Sequence, residues 1–398
     1  MKNIILDPAT SILDYAKLII EDLNFDYVHK YKEKNKNSLA IGYMPVYVPR
    51  PLLEAINCLP VAIFGGGTNI DIIKGDSYFQ SYICQIPRST IELALLEKFK
   101  IFDGILFPSI CDVIRNLSGM FKILFPNKFT TYIDLPQNFN IKIGGKFYIQ
   151  EMKRIANELK KIGAQSLNNE ILHQKINEEN KRNKASKILQ SIRIKKPWLI
   201  KASENYLIMR AGSMMTASQH EKLLKNFTEK INLRKANQID NMRVVLVGSF
   251  CEQPPISLIK TLEISGCDIV NDDFQLGLNY IEGDIKCNNN EEPLISLAKA
   301  YLEKSCESAS KYIDNKIKGE ALVNQVKNCF ADGVIFAATS FCDPALLDQP
   351  MLETALKKHK IPFTSLKFSE NSGQFNVIRE QAGAFSDSVK LWGTEKYE

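Results

Sequence analysis

Residues 78–119, YFQSYICQIPRSTIELALLEKFKIFDGILFPSICDVIRNLSG, decide how the rest of the chain is read. Ser89 followed by Glu92 fits a capping box, which predicts a helix starting near Thr90 and running through IELALLEKF. The run GILFPS after Asp103-Gly104 is short, apolar and bounded by turn residues, as a buried parallel strand requires. Cys111 then falls just past the carboxyl end of that strand, where open α/β sheets place their ligands. Asp112-Val-Ile-Arg-Asn begins another helix, whose free N–H groups favour a thiolate or other anion. Cys84 and Cys111 thus bound one helix–strand unit.

The pattern returns late in the chain. Asp332-Gly333-Val-Ile-Phe-Ala-Ala-Thr-Ser-Phe-Cys342-Asp343 mirrors Asp103-Gly104-Ile-Leu-Phe-Pro-Ser-Ile-Cys111-Asp112. From this repeat, Cys84, Cys111 and Cys342 are expected to converge on one metal centre between two similar domains. The four histidines (His29, His173, His220, His359) stand away from these loops in sequence, which disfavours a His-rich zinc or copper site. Ligation by thiolates alone leaves zinc or an iron–sulfur cluster, and three cysteines leave one metal position open.

A length of 398 residues calls for two or three domains. Hydrophobic content of 45% with 24% charged residues suits an ordinary globular protein, and a net charge of +6 is too mild to argue for nucleic acid. No long apolar run is present, so no membrane partner is expected. The N-terminus lacks the pattern of a secretory signal, and a cytoplasmic location is expected. Nine widely spaced cysteines read as free thiols or ligands rather than a disulfide framework.

The alternation of elements predicts an α/β protein with two Rossmann-like parallel-sheet domains related by an internal repeat, plus a helical section. The expected divisions are an N-terminal helical segment (1–37), a first α/β domain (38–144), a helical connecting section (145–240) and a second α/β domain (241–398). Strands are expected at SLAIGYMP, PVAIFGG, GILFPS, TTYIDLPQN, RVVLVGSF, CDIVNDDF, ADGVIF and IPFTSLKF, and a long helix at 291–318. The basic stretch Lys181, Arg182, Lys184, Lys187, Arg193, Lys195 and Lys196 reads as a solvated helix face, with contact to a phosphate or a partner as the alternative.

Further candidates cluster near the cysteines. Gly65-Gly66-Gly67-Thr68 follows a strand, but no GxGxxG or GxxxxGK[ST] pattern is present, so a tight turn is preferred to a nucleotide loop. Gly66 remains a candidate for close backbone approach to a cluster or substrate. Arg88 and Arg115, each four residues beyond a cysteine, either bind an acyl thioester and stabilise a charged cluster, or pair within their helices. Cys251 and Glu252, in the loop after VVLVGSF, are proton-donor candidates.

The segments GDSYFQSYICQIPRSTIE, DGILFPSICDVIRNLSGM, LVGSFCEQPPISLIKTLEISGCDIVNDDFQLGL, ADGVIFAATSFCDPALLDQPML and ENSGQFNVIREQAGAFSDSVKLW resemble the 2-hydroxyacyl-CoA dehydratase/benzoyl-CoA reductase family of iron–sulfur proteins. Within it they are most similar to the smaller, gamma-type cluster-binding subunits of ATP-dependent benzoyl-CoA reductases. The resemblance implies a [4Fe-4S] cluster on Cys84, Cys111 and Cys342, with one iron not held by cysteine. It implies a related, larger cluster-binding subunit, an ATP-hydrolysing activator, ferredoxin as electron source and an aryl-CoA substrate reduced to a cyclic dienoyl-CoA. A 2-hydroxyacyl-CoA dehydratase subunit and a non-catalytic electron relay are the alternatives. The chain departs from many dehydratase relatives at Pro49-Arg50-Pro51, where they carry a Pro-Glu pair.

Overall fold

In the computed structural model, residues 7–248, 254–274, 276–288, 290–311, 313, 316–369 and 375–392 are described. Among the described residues, the strands form two parallel sheets. The first contains β1 (Leu39–Tyr43), β2 (Cys58–Ala62), β3 (Gly104–Pro108) and β4 (Phe129–Ile133), in the order β2-β1-β3-β4. The second contains β5 (Met242–Gly248), β6 (Cys267–Asp272), β7 (Gly333–Thr339) and β8 (Phe363–Phe368), in the order β6-β5-β7-β8. The order is the same in both, so β3 and β7 occupy equivalent places. Every residue of both strands is buried, which accounts for their unbroken apolar runs.

The repeated Asp-Gly entry to these strands has a physical reason. Asp103 accepts the N–H of Ala40 at 2.7 Å, and Asp332 accepts that of Arg243 at 2.8 Å, so each carboxylate pairs with the backbone of the adjacent strand. The following glycine lets the neighbours close in. A Cβ on Gly104 would stand 2.7 Å from Phe129 Cδ1, and one on Gly333 would stand 2.9 Å from Met242 Cε.

Between the sheets run helices Lys146–Lys161, Asn169–Lys195, Ala202–Gly212 and Ala217–Asn232. Asn168 starts the longest by accepting the N–H groups of Glu170 and Ile171. Two members of its basic stretch turn inward rather than to solvent. Arg193 pairs with Asp272 at 2.7 Å and donates to Ile269 O, while Arg182 donates to Asn279 Oδ1 and Leu278 O. These bonds fasten the connecting helix to the edge of the second sheet.

Among the described residues of 291–318, the helix covers Pro293–Lys304. Ser305 leaves the helix in an extended conformation and bridges to Ile281. Leu294, Leu297, Ala298 and Tyr301 from this helix pack into the same core as β1 and β3, not into the core of the second sheet. Helices Glu320–Asn328 and Asp343–Lys358 flank β7 and complete the crossovers of the second sheet. Among the described residues, no helix is long and apolar enough to cross a membrane.

Arg50, the residue that departs from the Pro-Glu pattern, is buried. Its guanidinium donates to Tyr43 Oη at 2.8 Å, to Ser213 O at 3.2 Å and to Met215 O. It therefore joins β1 to the end of helix Ala202–Gly212, satisfying carbonyls that the helix leaves open. Glu54, one turn on, accepts the Ala217 N–H at 2.9 Å, and burial pushes its carboxyl up to about 7 despite Arg50.

Arg50→Met removes donors from buried carbonyls and should cost ~3–5 kcal/mol, read from urea unfolding of the full chain. Glu54 makes a distinct prediction. Its folded-state value lies above the ordinary 4.5, so its contribution is greatest below that pH and is lost as pH rises towards 7. Glu54→Gln should flatten the fall in stability across that window; an unchanged slope would refute the assignment.

Candidate metal and redox site

All three candidate cysteines stand immediately before a helix. Cys84 precedes Gln85–Leu95, Cys111 precedes Asp112–Leu124, and Cys342 precedes Asp343–Lys358. Cys111 and Cys342 follow β3 and β7, so the sequence repeat maps onto equivalent strand ends. Cys342 is buried, with Ala338 and Ala345 packed around it, and Cys84 and Cys111 are half-buried. Phe341, just before Cys342, adopts a left-handed φ of 74°, strained for a bulky residue and typical of functional turns.

Burial raises the Cys111 thiol above its ordinary value, and the charges of Asp112 and Asp343 raise it further. The N–H groups of Ile114 and Val113 act in the opposite direction by donating to the sulfur. Asp343 adjoins Cys342, so its influence on Cys111 brings the two repeated turns near each other across the sheets. Three thiols at helix starts suit anionic ligation, and a bound cation would offset the burial penalty on the Cys111 thiolate. Among the described residues, no three His, Cys, Asp or Glu side chains are grouped closely enough to hold a single metal ion. A cluster distributes its cysteines over separate iron atoms and asks for wider spacing.

The helix carrying Cys84 begins earlier than the capping-box reading placed it. Pro87 lies in its first turn, where a missing N–H costs nothing, and Ser89 is inside the helix. The Ser89 hydroxyl donates to Gln85 O at 3.0 Å and accepts the Gly66 N–H at 3.2 Å. Glu92 accepts the N–H groups of Ile73 at 3.0 Å and Gly75 at 2.6 Å. The apparent cap is thus a clamp that holds residues 66–75 against the helix. Nothing in the local spacing distinguishes the two uses, because both need a hydroxyl and a carboxylate one turn apart.

The glycine loop serves that clamp. Gly65 and Gly67 have φ of 70° and 54°, and a Cβ on Gly65 would stand 2.1 Å from Ser89 Oγ. Gln85 Nε2 donates to Gly67 O at 2.9 Å. Gly66 itself faces Ile70, whose Cγ2 would lie 2.2 Å from an added Cβ. Arg88 pairs with Asp76 at 2.7 Å and donates to Ile83 O at 3.3 Å, within the loop that leads to Cys84. Arg115 is exposed and lies over the Tyr132 ring, 5.7 Å from its centroid. Cys251 and Glu252 lie outside the described residues.

A cleft of about 1060 Å³ opens at the carboxyl ends of β5, β6 and β7. Gly248, Asp272, Asp273 and Ala338 contribute to one side, and helix Asn169–Lys195 contributes Lys187 and Gln190. Ala338 and Ala345 line the cleft and also belong to the small buried cluster around Cys342. Asp273 was missed in the sequence because NDDF reads as the polar end of a strand. Burial pushes its carboxyl up to about 7, and the adjacent Asp272 adds to that rise.

A family profile described as 2-hydroxyglutaryl-CoA dehydratase, D-component, matches residues 45–389. The chain is 43% identical over 385 residues to a benzoyl-CoA reductase subunit of Thauera aromatica, covering 96% of this chain and 99% of that one. It is 25% identical over 364 residues to the (R)-phenyllactyl-CoA dehydratase beta subunit of Clostridium sporogenes, covering 91% and 95%. Identity is 24% over 363 residues with the beta subunit of (R)-2-hydroxyglutaryl-CoA dehydratase of Acidaminococcus fermentans, covering 90% and 94%.

The Glu92 clamp is open to direct measurement. Glu92→Ala leaves the Ile73 and Gly75 N–H groups without their acceptor and should cost about 1–3 kcal/mol. Hydrogen exchange at those two amides should accelerate, while exchange in β5 and β7 stays unchanged.

Proposed function

The chain belongs to the 2-hydroxyglutaryl-CoA dehydratase D-component family, and on that premise we propose that it is the smaller, gamma-type subunit of an ATP-dependent aryl-CoA reductase. Its substrate on this reading is benzoyl-CoA, reduced to a cyclic dienoyl-CoA. The observation that carries the reading is 43% identity across nearly the whole length of a benzoyl-CoA reductase subunit, against 25% and 24% for two dehydratase subunits.

Cys84, Cys111 and Cys342 would hold a [4Fe-4S] cluster, leaving one iron without a cysteine. When bound, the cluster supplies a low-potential carrier of single electrons. Reducing an aromatic ring needs a donor near the low end of cluster potentials, about −700 mV. Each ~59 mV of one-electron potential corresponds to about 1.4 kcal/mol, so thermal fluctuation does not cover a large shortfall and coupling to ATP hydrolysis would supply it. Neither nucleotide-loop pattern occurs in the chain, which supports assigning ATP to a separate activator fed by ferredoxin. A related, larger cluster-binding subunit would complete the enzyme.

The chain's own residues would perform the supporting work. Ile114 and Val113 N–H groups favour the Cys111 thiolate over its thiol. Cys342 is buried, which would keep water from its sulfur. Arg50 is committed to backbone carbonyls, so the position where dehydratase relatives carry a glutamate offers no base here. That weighs against the dehydratase reading.

The test begins with anaerobic purification of the full complex and analysis for iron and sulfide. Cys84→Ser, Cys111→Ser and Cys342→Ser should each lose iron and the cluster's visible absorbance. With activator, ATP and reduced ferredoxin, the unaltered complex should reduce benzoyl-CoA. Dehydration of a 2-hydroxyacyl-CoA without ring reduction would replace this reading with the dehydratase one. Retained ring reduction with slowed electron delivery in Cys111→Ala would make the chain a relay.

A further inference from the structure

Asp273 lines the cleft and has no ion pair among the described residues, unlike the two acids nearest it in role, Asp272 and Asp348. Asp272, beside it on β6, is matched by Arg193 at 2.7 Å from helix Asn169–Lys195. Asp348, on helix Asp343–Lys358, is matched by Lys318 at 3.1 Å. Burial raises the Glu307 carboxyl, which also lines the cleft, and the charge of Lys318 opposes that rise. Lys187 lines the cleft as well, and no ion pair joins it to Asp273 among the described residues. Asp273 is half-buried and accepts the Gly248 N–H, at 3.0 and 3.1 Å from its two oxygens, with its own backbone N–H also acting on the carboxyl. These backbone donors fix the carboxyl's direction without satisfying its full accepting capacity.

Three observations meet at this residue. It sits at the carboxyl end of a parallel strand, where α/β folds bind ligands. The cleft it lines is large enough for a small-molecule acyl group and is bounded by the small residues that cover Cys342. Its carboxyl exchanges a proton near neutrality because burial and Asp272 oppose ionisation, matching the requirement for a group that donates at working pH.

Resting on the aryl-CoA reductase reading, we propose that Asp273 delivers protons into this cleft during reduction of the bound acyl ring. In each delivery the Asp273 O–H bond breaks and its proton passes to a ring carbon. The bonding pair stays on the carboxylate, and water in the cleft restores the proton. Electrons come singly from ferredoxin through the ATP-dependent activator, so the proton step itself neither oxidises nor reduces Asp273.

The test compares Asp273→Asn and Asp273→Glu in the complete, anaerobically assembled complex. Asp273→Asn should slow benzoyl-CoA reduction by roughly 100-fold while ATP-driven reduction of the cluster, followed by its absorbance, keeps its wild-type rate. Asp273→Glu should recover part of the rate with a shifted pH profile. Infrared titration of the unaltered chain should show a carboxyl C=O band that disappears across the neutral range. Carbon-13 labelling of aspartate should move that band, which assigns it without dependence on a variant. An active wild-type complex with Asp273→Asn turning over at the same rate overturns the proposal alone, as does absence of the neutral-range aspartate band. A wild-type complex inert towards every aryl-CoA overturns the functional reading, and the proposal with it.

Discussion

The carboxylate of Asp343 bears on the Cys111 thiol, although the two belong to different sheets. That influence brings the helix start after β7 near the one after β3, in two parallel sheets of the same strand order. Parallel strands followed by helices gather unpaired backbone N–H groups at one edge of each sheet. A cysteine placed before such a helix meets those donors, while burial resists its ionisation. The balance suits a sulfur that becomes anionic only when a cation is bound beside it.

Charge elsewhere is spent on architecture. Arg50, Arg182 and Arg193 are all buried, and each binds backbone carbonyls from a segment distant in sequence. A guanidinium is suited to this because its fork of donors satisfies several acceptors at once and stays charged when desolvated. Arg88 does the same on a smaller scale, fixing the loop that precedes Cys84. The conformation of these turns therefore depends on cations that need not touch any ligand.

Much of this arrangement was legible in the residues. Apolar runs ending in turn residues located the strands, and the paired Asp-Gly…Cys-Asp segments revealed the repeated sheet. Their success has a local cause: the aspartate, the glycine and the cysteine each act within one strand-to-helix unit. Ser89 and Glu92 misled because the same spacing serves a cap and a clamp, and only the position of residues 66–75 decides between them. Asp273 escaped notice for a similar reason, since its lack of a cation depends on Arg193 having chosen Asp272. The inward course of Arg182 and Arg193 was equally hidden, because a basic run looks alike on a solvated face and against an unseen sheet.

The placement of helix Pro293–Lys304 has a consequence for biogenesis. Its apolar side chains lie among those of β1 and β3, with the whole of β5 and β6 synthesised in between. A nascent chain that has emerged only as far as the second sheet still lacks part of its earlier core. The amino-terminal half therefore cannot reach its final packing in order of synthesis and must wait for a downstream segment to thread back, a long loop closure that slows assembly. A fragment ending at residue 240 would carry that uncovered apolar surface into solution, where self-association is the expected fate.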